Sequence, residues 1–477
     1  MAATVESLRQ LMWGASAVYE SEEELRWQSE DFRFCPLDGP GPTWGLQQTH
    51  GGPCGVFAPV QARMLVHLLG SLDTPLTGDA RERLLALVLA AMLLSTTESE
   101  TDPIWLIDAA HVSATASGPV RPIAVARADL EVSVRDFFVA GKGVLSFVYS
   151  MVLTRGVDRL RGDMDDMESS LTMGEFGHGT QELLNLMLTG KGTSNVFDDS
   201  VPMGDTGLVL RGVYHRPTVG YLTQLEALRY CAVGSYFKTP SSPIWVLGSA
   251  SHFTVLFSPN LSLVTESDSD ALLSKVTRAF KQHDTMESGF IALDALLPCL
   301  RSLGVDEGIL GNQYQMGRLY AKLEVPGAGI VLWDDFWRVI SLLLETNDLQ
   351  TAITGKVATR QRSDSDLARE LQAQFDSGAS APVESAPPAE RLPMAPDVED
   401  KVVFYHYNGL VDSRTSTPRL VRFDAIVPSR NVVGYTVPLT DSGAASGGSS
   451  CPIEDVLTTK WPGIQVHWGG QVPPRLD

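Results

Sequence analysis

The segment from Lys401 to Asp477 opens with Val402-Val403-Phe404-Tyr405-His406-Tyr407, a run of strand-forming residues. A strand or two cannot satisfy their backbone groups and bury their apolar face alone, so this segment needs a partner sheet elsewhere in the chain. Ahead of it, Thr351 to Asp400 is rich in Pro, Ala, Ser and Glu and poor in aromatics, which is the composition of a flexible linker. The resulting expectation is a main domain whose first part is 1–260 and whose sheet is completed by 401–477. Residues 268–345 then form an insertion, followed by the linker at 351–400. A second low-complexity stretch, Ser442 to Ser450, interrupts the tail.

The first part mixes helical and strand patterns, which points to an α/β (α+β) fold. Thr4 to Ala17 reads as a helix with Thr4 as N-cap. Val60, Met64, Leu65, Leu68 and Leu69 recur at helical spacing. Asp79 to Leu94 and Tyr221 to Val233 read as further helices. Ile244–Leu247 and Phe253–Phe257, separated by Gly248–Ser251, read as a hairpin.

Charge and apolar content remove several classes of partner. With 37 Lys+Arg against 57 Asp+Glu the net charge is −20, which argues against nucleic acid and anionic lipid surfaces. The longest apolar run, Leu84 to Leu94, is 11 residues, against about 20 for a membrane span. No secretory signal is expected from the N-terminus, where acidic residues come early. Five scattered cysteines without a CxxC pair suggest reduced thiols in the cytoplasm or nucleus and no metal site.

The chemistry concentrates at Gln48-Thr49-His50-Gly51-Gly52-Pro53-Cys54-Gly55, a glycine loop running into a helix. A cysteine there gains from the helix N-terminus, which favours the thiolate, and the glycines leave N–H groups able to face an oxyanion. Pro59 makes the first turn irregular, so a regular start near Ala58 is expected. A buried structural thiol is the competing reading of Cys54. A thiol nucleophile needs a base. His50 sits in the same loop and His67 some three turns along the helix. His252 opens a strand after a turn of small residues, which is where a papain-like hydrolase places its base, by fold-level analogy. A half-buried residue at a strand edge is the competing reading there.

Four blocks now stand in order along the chain. They are the Gln48–Gly55 loop, Thr189 to Asp198, Ile244-Trp245-Val246 through His252-Phe253-Thr254, and Thr458-Thr459-Lys460-Trp461-Pro462-Gly463. Together they resemble the MINDY family of deubiquitinases, in particular the branch with an EF-hand-like insertion. The resemblance implies a papain-like cysteine isopeptidase acting on polyubiquitin chains of the proteasome-targeting lysine linkage, without a cofactor. Matched position by position, it implies Cys54 as nucleophile, His252 as general base and Gln48 as oxyanion donor. Thr254 matches a polar position near the active centre, and Asn195 belongs to a block of the family to which no chemical role attaches. The residue orienting His252 is not identified, and Asn260 is a weak candidate.

The 268–345 segment carries two helix–loop–helix patterns with Gly289 and Gly329 at equivalent places. A calcium loop needs oxygen ligands at positions 1, 3, 5 and 12 with Gly at 6. Counting from Asp284, position 3 is Met286 and position 12 is Ala295. Counting from Glu324, positions 3 and 5 are Pro326 and Ala328. Calcium is therefore not expected, and the module reads as an interaction surface. A catalytically inactive ubiquitin-binding scaffold working through it is the alternative function.

Overall fold

Thr4 begins the first helix, α1 (Val5–Trp13), through a capping box in which its side chain accepts the Ser7 N–H and the Ser7 hydroxyl oxygen accepts the Thr4 N–H. The computed structural model describes residues 3–15, 21–39, 41–72, 74–112, 118–173, 177–203, 207–265, 268–284, 288–355, 400–411, 418–428 and 451–476. These divide into two compact units. One holds 3–265, 400–428 and 451–476; the other holds 268–355.

In the larger unit a helical layer packs against a mixed sheet. The layer is built from α1, α2 (Glu22–Ser29), α3 (Cys54–Val66), α4 (Gly78–Ser95), α5 (Gly143–Arg155) and α6 (Gln181–Thr189). Helix α3 lies between layer and sheet. Its Val56, Val60 and Met64 join the helical core with Leu8, Leu89 and Val148. Its Ala58, Ala62 and Leu65 join Val246, Val255 and Phe257 of the sheet. Consequently α3 is apolar nearly all round, as a helix without a solvent face must be. Its one buried amide, Gln61, accepts the Leu46 N–H at 2.7 Å and so ties the helix to the strand ahead of the Cys54 loop.

The sheet runs in chain order: β1 (Gly220–Thr223), β2 (Ile244–Gly248), β3 (Phe253–Phe257), β4 (Asp400–Asn408), β5 (Arg419–Val427) and β6 (Gln465–His467). Only β1 and β2 are parallel. The tail thus finds its partner in β3, with Val255 opposite Tyr407 and Phe257 opposite Tyr405. On the far face, Trp461 follows α7 (Pro452–Thr458) and sets its ring edge-on to Trp245 of β2 and against Phe404 of β4, both centroids at 5.3 Å. Within the sheet, His406 Nε2 and Thr254 Oγ1 are hydrogen-bonded at 2.9 Å, both residues buried. Burial and the nearby His252 push the His406 pKa down to about 3.

Two local expectations are corrected. Tyr221 does not begin a helix: Tyr221 and Leu222 pair with Val246 and Leu247, and a single turn, Gln224–Ala227, follows. A strand buried on both faces reads as a continuous apolar run, which periodicity does not separate from a helix. Pro59 does not delay α3, which begins at Cys54 with the Pro53 carbonyl accepting from Val56 and Phe57. A proline here removes a single ladder bond, that to the Gly55 carbonyl four residues back, and the helix runs on through it to Val66.

In the smaller unit, helices Asp268–Lys281 and Leu296–Ser302 flank one loop, and Gln313–Leu323 and Trp333–Thr346 flank the other. The loops pair through short antiparallel strands, Phe290–Ala292 with Ile330–Leu332, which puts Ile291 opposite Val331. Leu293 N–H donates to the Gly329 carbonyl and Trp333 N–H to that of Gly289. Phe280, Trp333 and Phe336 centre the core of this unit. Helix Leu349–Thr354 ends on Gly355 in the left-handed region. Beyond it the expected linker up to residue 399 lies outside the described residues, as do Met286 and the Ser442–Ser450 stretch.

Two measurements check this architecture. Trp461→Ala removes the ring that joins β2 to β4 and should cost about 3–5 kcal/mol in denaturant unfolding; an unchanged midpoint would contradict the packing. His406 is neutral when folded, with a pKa below its usual 6.5. Below that value the unfolded chain takes up a proton that the folded chain refuses, so stability is lost as pH falls from 6.5 toward 3. The slope is up to about 1.4 kcal/mol per pH unit. His406→Gln should flatten the stability profile between pH 7 and pH 5 relative to the parent, and parallel profiles would contradict it.

Candidate functional site

Cys54 is the first residue of α3 and is 1 % exposed. The loop ahead of it turns at Gly52, whose φ of +119° favours glycine. Cys54 Sγ lies 3.7 Å from the Gly52 carbonyl oxygen and 4.0 Å from that of Ser251. Burial pushes the thiol up to about 11, although backbone hydrogen bonds from Phe253, Gly55 and Gly52 pull the other way. The expected direction, a depressed thiol pKa, is corrected: desolvation of the buried sulfur is the largest influence and raises it.

Ser251 and Phe253 bracket His252, so the β2–β3 turn carries that histidine to the Cys54 end of α3. The Ser249 hydroxyl shapes the turn, accepting the His252 N–H at 3.0 Å and the Ser251 N–H at 3.3 Å. His252 Nε2 meets Asn408 Oδ1 at 3.0 Å. That same oxygen accepts the Leu410 N–H at 2.9 Å. The partner atom is therefore an acceptor, so Nε2 carries a proton, and in the neutral form of the ring the lone pair lies on Nδ1. Asn408, which the sequence did not single out, is the residue that holds the His252 ring at Nε2. It is the last residue of β4, more than 150 positions from His252, and only the β3–β4 register brings it there. Asn260 instead caps the turn at Leu261–Leu263.

Gln48 is buried beside the same end of β4. Its N–H donates to the Gly409 carbonyl, and its own carbonyl accepts the Val411 N–H. The side-chain Nε2 donates to the His50 carbonyl at 2.5 Å. Thr254 lines a small cavity with Gln48, Phe57 and Gly409, its hydroxyl taken by His406. Asn195 is placed differently. Its amide donates to Asp165 at 2.5 Å and to the Arg211 carbonyl at 3.0 Å, and its carbonyl accepts from Asn185, a network that ties the 189–198 loop to its surroundings.

A further residue without a sequence motif is Glu30, the C-cap of α2, whose side chain is 2 % exposed. Its Oε1 accepts from Thr49 N, Thr49 Oγ1 and His50 N at 2.6–2.9 Å, with His50 Nδ1 at 3.1 Å. A carboxylate closing a helix is disfavoured by the macrodipole, which was the one available signal that Glu30 has a special partner. Among the described residues no group of three or more His, Cys, Asp or Glu is arranged to hold a metal ion. No described helix is long and apolar enough to cross a membrane.

Comparison with known proteins gives this arrangement its family. A family profile described as "Deubiquitinating enzyme MINDY-3/4, conserved domain" matches residues 9–274, more than half of the chain. Ubiquitin carboxyl-terminal hydrolase MINDY-3 of Mus musculus is 28 % identical over 522 aligned residues covering 100 % of both chains. The Homo sapiens protein of the same name is 27 % identical over 523, again covering 100 % of both. Probable ubiquitin carboxyl-terminal hydrolase MINDY-4 of Mus musculus is 34 % identical over 289 residues, which is 56 % of this chain and 38 % of that protein. No solved structure matches. The family match spans Gln48, Cys54 and His252 together, and the chain belongs to the MINDY-3/4 family of deubiquitinating enzymes.

Proposed function

We propose that this protein is a cysteine isopeptidase of papain-like design that cleaves ubiquitin–ubiquitin bonds, of the proteasome-targeting lysine linkage, through Cys54, His252 and Gln48. The observation that carries the proposal is the His252–Asn408 hydrogen bond at 3.0 Å beside Cys54, because it fixes the tautomer a general base requires. With Nε2–H held by Asn408, His252 Nδ1 takes the thiol proton as Sγ attacks the carbonyl carbon of ubiquitin's C-terminal glycine. A thiol pushed up to about 11 calls for proton removal during attack rather than a resting ion pair. The oxyanion is met by the Cys54 N–H and the Gln48 amide, and the imidazolium then protonates the departing lysine amine. Water, deprotonated by His252, hydrolyses the thioester and restores the thiol.

The 268–345 segment acts, on this reading, as an EF-hand-like interaction module without calcium. Its loop-to-loop pairing at Ile291 and Val331 supports the architecture. Ala295 offers no side-chain oxygen where a calcium loop needs a bidentate acid, which opposes the ion. All five cysteines are free, which supports a location in the cytoplasm, the nucleus or both. The burial of Cys54 favours one second reading, a ubiquitin-binding scaffold without turnover.

Incubation with defined-linkage polyubiquitin chains, resolved on a gel, separates the two. Cleavage by the parent and none by Cys54→Ala is the expected result; bound but intact chains in both lanes would favour the scaffold. Gln48→Ala should lower kcat about 10²–10³-fold with little change in KM. Asn408→Ala should lower it at least about tenfold by releasing the ring of His252. A kcat left at the parent value in either variant would remove that residue from the mechanism. Millimolar calcium should leave both cleavage rate and melting temperature unchanged, and a shift in either would reinstate the ion.

A further inference from the structure

We infer that Glu30 is a positioning residue for the oxyanion donor, acting on Gln48 through the Thr49–His50 peptide. The inference rests on the isopeptidase reading above and concerns how one donor within it is aimed. A buried carboxylate must be met by donors, and Glu30 Oε1 finds them in Thr49 N, Thr49 Oγ1, His50 N and His50 Nδ1. The loop cannot leave this seat without stranding the carboxylate out of water, so Glu30 fixes the plane of the peptide between Thr49 and His50. His50 is held at both its N–H and its ring Nδ1, so the carbonyl of the same residue is positioned with them.

That carbonyl is the partner of Gln48 Nε2 at 2.5 Å. A carbonyl oxygen accepts only from the amide nitrogen, so it sets which end of the Gln48 amide faces the loop and settles the flip of the group. The nitrogen has two hydrogens: one is given to His50, and the second is left for an oxyanion. Were the seat lost, the amide could turn and offer its oxygen, which repels the developing charge. The Gln48 backbone is held independently, through Gly409 and Val411, so the Glu30 relay governs the side chain and not the course of the chain.

The test uses the full chain with ubiquitin carrying a C-terminal fluorescent amide, and separately with ubiquitin propargylamide. Alkyne addition forms no oxyanion, so labelling reports the Cys54–His252 pair alone. Glu30→Met, which keeps the bulk and loses the acceptor, should lower kcat about 10²-fold, the loss expected when one oxyanion donor goes. KM and the labelling rate should stay within about threefold of the parent, since neither draws on that donor. Glu30→Gln, which keeps an acceptor oxygen, should restore kcat to within about tenfold, and Glu30→Met in a Gln48→Ala background should cost nothing further. An unchanged kcat in Glu30→Met, labelling that falls with kcat, or losses that multiply with Gln48→Ala would each overturn the inference. Should Glu30→Met not fold, Glu30→Gln decides: a kcat lowered by up to about tenfold with labelling unchanged supports the relay, and a kcat equal to the parent's, or a loss shared by labelling, refutes it. A parent protein that neither cleaves nor labels would fail the isopeptidase reading itself, a result distinct from an active parent insensitive to Glu30.

Discussion

The antiparallel pairing of β3 with β4 is the constraint on which the site depends. It joins a strand ending at Phe257 to one beginning at Asp400, so its loop-closure entropy is carried by the apolar faces it completes. One face packs on α3, and the other is closed by Trp245, Phe404 and Trp461. Register follows from that burial, because a slip of one residue would turn Tyr407 and Phe404 to the wrong sides. The same register delivers Asn408 to His252, and the residues just beyond it hold the backbone of Gln48. Stability and the geometry of the site are thus fixed by a single set of backbone hydrogen bonds.

Around this pairing the polar groups of the site are held by indirect means. Cys54 is set by the start of a helix buried on all sides, His252 by a turn shaped on the Ser249 hydroxyl, and the Gln48 loop by the carboxylate of Glu30. Desolvation has two consequences here. It keeps His406 neutral beside His252, and it raises the Cys54 thiol, so that burial holds this sulfur protonated ahead of any attack. On the proposed mechanism the cost of forming the thiolate is deferred to the encounter with substrate, when the oxyanion donors come into use.

The sequence was legible where a local pattern decided the structure. Thr4 with Ser7, the apolar spacing of α3 and the small-residue turn between Ile244 and Phe257 each specify their element with near neighbours alone. It was legible too in the strand character of Val402–Tyr407, which required a distant partner without naming it. It failed where a local pattern had two solutions, as at Tyr221, or where the deciding contact was remote. Asn408 is an ordinary polar residue at a strand end, and Glu30 an ordinary acid at a helix end. Their meaning lies in a sheet register and in a loop 20 residues away, neither of which composition or periodicity encodes. The direction of the Cys54 shift was missed for a related reason: the helix terminus is visible in sequence, but the depth of its burial is not.

The most direct test of the account is to treat the full chain with ubiquitin bearing a C-terminal electrophile and to map the adduct by peptide mass. One ubiquitin per chain is expected, on Cys54 alone of the five cysteines, with labelling lost in His252→Ala. An adduct on another cysteine, or labelling indifferent to His252, would contradict it.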